Sequence, residues 1–103
     1  MQRIVERHQI EGQDERQRVF NRLVDILRVE KGYTAIFHYE GLTFETEPAR
    51  TVEETIRNLI SKLQKAHCAN LRTRLNFRGQ RYLAEREPWV NHPDGVLHEA
   101  GRS

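Results

Sequence analysis

Val19-Phe20-Asn21-Arg22-Leu23-Val24-Asp25-Ile26-Leu27-Arg28 is the stretch on which the fold turns. Its apolar residues, Val19, Phe20, Leu23, Val24, Ile26 and Leu27, recur at the spacing of one helical face, with polar residues between them, so the pattern predicts an amphipathic helix. Asp14 stands where an N-cap would, while Arg28, Lys31 and Gly32 supply the basic last turns and the stop.

Beyond Gly32 the period changes from helical to alternating. Tyr33, Ala35, Phe37 and Tyr39 alternate with Thr34, Ile36 and His38, then Leu42, Phe44 and Thr46 with Thr43, Glu45 and Glu47. A two-residue turn at Glu40-Gly41 sets Tyr39 opposite Leu42 and Phe37 opposite Phe44, which makes one face of the hairpin apolar.

The same order then recurs. Thr51-Val52-Glu53-Glu54 is a capping box, in which the threonine hydroxyl accepts from the Glu54 amide, and it opens a helix with Val52, Ile56, Leu59, Ile60 and Leu63 as its buried stripe. That helix ends between Ala66 and Asn70, and a second hairpin sets Leu71, Thr73, Leu75 and Phe77 against Tyr82 and Ala84 across Arg78-Gly79. Phe37 to Glu47 is echoed by Leu75 to Glu85, and Arg22 to Leu27 by Asn58 to Leu63. An internal αββ repeat follows, and with it a two-layer α+β fold of order α-β-β-α-β-β: a four-stranded antiparallel sheet with two helices on one face.

A chain of 103 residues is one domain by length. Residues 1–12, polar apart from Ile4, Val5 and Ile10 and interrupted by Gly12, read as a loosely attached arm or a short strand. Residues 13–90 read as the α+β domain and 91–103 as a disordered tail, with Trp89 folding back as an anchor. One cysteine, Cys68, excludes an internal disulfide; the N-terminus lacks the apolar run of a secretion signal, and no apolar stretch approaches membrane-span length. These features point to a cytoplasmic protein with no membrane partner.

Enzyme signatures are missing. The five histidines and Cys68 lack the paired clusters of a zinc site, and there is no Gly-rich phosphate loop, no Gly-x-Ser-x-Gly elbow and no His-x-x-x-His helix. Glu45 and Glu47 are solvated on an open sheet, and Glu53 and Glu54 are explained by helix capping. The reading is therefore non-catalytic, with no metal and no small-molecule cofactor.

The informative signal is charge. From Arg57 to Leu83 there are seven basic residues and no acid, whereas Glu40 to Glu54 holds five acids against Arg50. Arg72, Arg74, Arg78 and Arg81 are expected to project together from the open face of the second hairpin, with Lys62 and Lys65 nearby, as a patch for an anionic partner, RNA or DNA backbone foremost. His38 is the one further ligand candidate on that face. The alternative is a protein-interaction or regulatory module that uses the open sheet face, as a homodimer in which acidic and basic hairpins meet.

Overall fold

The computed structural model describes residues 3–78, 81–82 and 87–93. Along the chain run β1 (Arg3–Gln13), β2 (Val19–Val29), β3 (Gly32–Tyr39), β4 (Leu42–Glu45), α1 (Val52–Lys65), β5 (Ala69–Arg78), β6 (Arg81–Tyr82) and β7 (Val90–His92). The strands form one antiparallel sheet in the order β4-β3-β2-β1-β5-β6, with β7 also paired to β5. Among the described residues a single helix, α1, packs on one face of it against β3, β4 and β5.

This overturns the four-stranded sheet with two helices and, with it, the αββ repeat. Val19 to Val29 is a strand paired on both sides, to β1 from Arg3↔Arg28 to Gln13↔Val19 and to β3 from Asp25↔Ile36 to Val29↔Gly32. Its adjacent apolar pairs, Val19-Phe20, Leu23-Val24 and Ile26-Leu27, mimic a helical period because both faces of the strand carry apolar residues. Phe20, Val24 and Ile26 are buried under α1, while Leu23 and Leu27 point the other way. The β-branched and aromatic content, Val19, Phe20, Val24, Ile26 and Val29, is that of a strand. Asp14 caps a turn instead of a helix: its carboxylate accepts from the amides of Arg16 and Arg18 and closes the β1–β2 connection. β1, expected as a loosely attached arm or a short strand, is a long strand at the middle of the sheet with Ile10 fully buried. Part of the expected tail is ordered too, since Asn91 and His92 belong to β7; residues 94–103 lie outside the described residues.

The first hairpin has the expected register, Phe37 opposite Phe44 and Tyr39 opposite Leu42, and both turn residues, Glu40 and Gly41, have positive φ, as a tight two-residue hairpin requires. In the second, Phe77 faces Tyr82, but Arg78 pairs with Arg81, so the turn is not Arg78-Gly79.

The α1 N-terminus also forms as expected, with Thr51 Oγ1 accepting from the Glu54 amide at 3.0 Å. Thr51→Ala removes that acceptor and is expected to cost about 1 kcal/mol, readable as a lower urea midpoint at unchanged slope. Ile56, Leu59, Ile60 and Leu63 then cover one side of the sheet, in one cluster with Ile10, Val24, Ile26, Phe37 and Leu71.

Candidate functional site

The residues expected to form one basic patch are divided between two layers. Arg72 and Arg74 do project together from the sheet face opposite α1, where β5 pairs Arg72 with Glu11 and Arg74 with Gln9. Arg78 does not join them. Between His8↔Leu75 and Arg7↔Phe77 the register slips by one residue, leaving Asn76 as a bulge. From there on the parity is reversed: Phe77 shares the open face with Arg7, whose guanidinium lies 5.9 Å from its ring centroid, and Arg78 turns to the helix side beside Glu6. Arg81 pairs with Arg78 through its backbone, and its side chain lies outside the described residues. Lys62 and Lys65 are exposed on the last turns of α1, across the sheet from Arg72 and Arg74. His38 is on the open face, but two strands separate its strand from β5, and its Nδ1 is hydrogen-bonded to Thr43 Oγ1 at 3.0 Å.

The guanidiniums on the open face are committed within the molecule. Arg72 Nη2 lies 2.6 Å from Glu11 Oε1, Arg7 Nε donates to Asp25 at 2.9 Å, and Arg74 Nε donates to Gln9 Oε1 at 2.9 Å. Gln9 continues to Asn21 and Asn21 to Glu11, each at 2.8 Å, so one polar ladder crosses three strands. Trp89 stacks on both Arg72 and Arg74, with guanidinium carbons 4.3 and 4.2 Å from the ring centroid.

Strand alternation places Arg7, Arg72 and Arg74 on this face against Glu11, Asp25 and Glu45, three charges of each sign. Between them stand Ile4, Leu23, Leu27, Ile36, Phe77 and Trp89. Leu23 is 47% exposed. The face therefore mixes half-buried apolar side chains with a prearranged polar lattice whose charges balance.

The helix side holds a cleft of about 760 Å³ between the first turns of α1 and the β1–β5 edge, within the range of small-molecule sites. Glu6 and His8, neighbours on one side of β1, line its floor with side chains only 14% and 13% exposed, joined by a 2.8 Å contact from His8 Nε2 to Glu6 Oε1. Burial pushes the Glu6 carboxyl up, but the His8 imidazole and the Arg78 guanidinium outweigh it and hold it below the usual carboxylate range. A carboxylate only accepts, so Nε2 of His8 carries the proton. Nearby, His92 Nε2 meets Thr73 Oγ1 at 2.9 Å, and burial pushes the His92 imidazole down, which favours its neutral form. The charges around the cleft balance: Arg57, Arg74 and Arg78 against Glu6, Glu53 and Glu87.

Sequence reasoning missed Glu6, His8 and His92, and took Trp89 as an anchor folding back, where it stacks on Arg72 and Arg74. The signal for the first two was the inward alternation Glu6, His8, Ile10, Gly12, hidden because polar residues occupy half of it. Among the described residues no cluster of histidine, cysteine and carboxylate side chains fit for a metal occurs, and burial pushes the Cys68 thiol up, away from the reactive thiolate. No described helix is long and apolar enough to cross a membrane.

The class of protein defined by this geometry is a mostly β domain with one helix among the described residues, an open sheet face of mixed apolar and polar character, and a cleft under the helix. No family model, curated protein or solved structure matches the chain, so function is argued from the residues themselves.

Proposed function

We propose that this chain is a non-catalytic protein-binding module that packs its open sheet face against a second copy of itself. The observation that carries this reading is that the face's arginines are already engaged within the molecule. With Arg7 paired to Asp25, Arg72 to Glu11 and Arg74 hydrogen-bonded to Gln9, and with Glu45 making the charges even, the face offers little net field to an anion, while Leu23, Leu27, Ile36 and Ile4 offer apolar surface. A balanced face is also self-complementary, as a two-fold contact requires. Trp89 and its two arginines bring the residue types that dominate interface energetics. Nucleic acid backbone is the competing partner and fits less well. Arg72 and Arg78 are already beside Glu11 and Glu6, and Lys62 and Lys65 face away from Arg72 and Arg74.

Light scattering decides between them. At about 100 µM protein, the mass of two 12.2 kDa chains is expected at both about 50 mM and about 500 mM salt, because apolar contact is little screened. Leu23→Arg should weaken association at least tenfold, since it buries an unpaired cation. A monomer at every concentration up to about 1 mM overturns the proposal. So does an RNA or DNA mobility shift at about 50 mM salt that disappears at high salt, which is the behaviour of a phosphate binder.

A further inference from the structure

We propose that the cleft beneath the first turns of α1 binds a small neutral aromatic molecule bearing a hydroxyl group, which hydrogen-bonds Nδ1 of His8. The starting observation is an orphan. The His8 side chain is 13% exposed, its Nε2 is given to Glu6, and Nδ1 makes no hydrogen bond among the described residues. A largely buried polar atom that no described residue meets, on the floor of a cleft, suits a ligand group or a solvent molecule. Glu6 takes Nε2, so Nδ1 is the ring atom left to face a ligand, and a hydroxyl, which can both donate and accept, suits it.

The walls decide the rest of the molecule. Val52 and Ile56 from α1, Leu75 from β5, and Pro88, Trp89 and Val90 from the segment entering β7 supply apolar surface around the polar floor. Because the lining charges cancel, neither a cation nor an anion is drawn in by net field, and a neutral body avoids desolvating a charge. An aromatic ring that carries one hydroxyl satisfies both the floor and the walls. The cleft shares Trp89 and Arg74 with the open sheet face, but its floor, Glu6 and His8, lies on the other side of the sheet.

Trp89, the sole tryptophan of the chain, lines the cleft and reports on its occupancy. 2-Naphthol, neutral at pH 7, is the probe, with naphthalene lacking the donor and 2-naphthalenesulfonate adding a charge. Titration of the full chain is expected to quench Trp89 emission, with 2-naphthol binding about tenfold more tightly than naphthalene and more tightly than the sulfonate. His8→Phe keeps a ring but removes the hydrogen-bonding nitrogen, and should bind both neutral compounds equally. Val52→Phe fills the mouth of the cleft from a half-buried position outside the core cluster and should abolish binding, with circular dichroism showing the fold retained. Leu23→Arg should leave binding unchanged. The proposal is overturned if 2-naphthol binds no better than naphthalene, if binding survives Val52→Phe, if Leu23→Arg removes it, or if no quenching occurs up to about 1 mM probe.

Discussion

Gly32→Ala is expected to destabilise the chain by roughly 3 kcal/mol or more, a large part of the stability of a domain this size. Gly32 follows the Glu30-Lys31 turn and has φ +139°, a conformation side chains rarely adopt. The stronger reason is what lies opposite. A methyl group there would be driven into the Ala49 carbonyl oxygen and come within 2.9 Å of its carbonyl carbon. These are backbone atoms, fixed by reciprocal hydrogen bonds, Tyr33 N–H to Ala49 O at 2.8 Å and Ala49 N–H to Tyr33 O at 2.9 Å. Neither side can retreat without breaking the bridge that aligns the approach to α1, so strain and lost hydrogen bonds add. Gly41→Ala is the control: it also has positive φ, +82°, but nothing lies within 4 Å of the added carbon, and its cost should be about 1–2 kcal/mol. Urea denaturation of the two variants separates conformational strain from collision; equal midpoints would refute the steric account of Gly32.

Local grammar survived from sequence to structure better than assembly did. The Glu40-Gly41 hairpin and the Thr51 cap were legible because each is specified within a few residues: parity fixes which side chains face each other, and a hydroxyl three residues before an amide fixes the helix start. Val19 to Val29 was not legible, since a strand with apolar residues on both faces has no single period, and the competing helical period was present by coincidence of adjacent pairs. β1 was lost for the opposite reason. Glu6 and His8 point inward, so the expected apolar alternation is broken at the two residues that give the cleft its chemistry. The Asn76 bulge is a third kind of failure: one extra residue exchanges Phe77 and Arg78 between faces, and nothing in the composition around it announces the slip. Arg72 and Arg74 were found together because they precede the bulge, whereas Arg78 follows it. Their carboxylate and amide partners come from β1, far away in sequence, so the loss of a free basic patch could be seen only once β1 was placed beside β5.

Asp14 carries the second large effect. Its carboxylate is buried at the β1–β2 connection, where Oδ1 accepts the amides of Arg16 and Arg18 at 2.9 Å each, and Oδ2 accepts the Arg18 guanidinium at 2.9 Å and the Tyr39 hydroxyl at 2.7 Å. Four donors converge on one anion from a turn and from β3, so this group ties the sheet's long hairpin to the aromatic cluster of Phe20, Phe37 and Tyr39. Asp14→Ala leaves all four without their acceptor and is expected to lower the melting temperature by on the order of 10 °C. The pH dependence gives an independent reading. Burial pushes the carboxyl up, but the Arg18 amide, the Tyr39 hydroxyl, the Arg16 amide and the Arg18 guanidinium outweigh it and hold it at about 2, against an ordinary 3.8. A depressed carboxyl binds fewer protons folded than unfolded, so its stabilisation is complete above about pH 4 and is lost as pH falls through 2. Asp14→Asn, which keeps the shape and removes the titration, should flatten the stability profile in that window. The same contact acts at the other end of the scale: donation to Asp14 raises the Tyr39 phenol, so one tyrosine should ionise late in an alkaline absorbance titration and return to its ordinary range in Asp14→Asn. An acid profile of Asp14→Asn parallel to that of the parent would show that the unfolding protons are taken up elsewhere, and an unshifted Tyr39 would show that the 2.7 Å contact does not hold in solution.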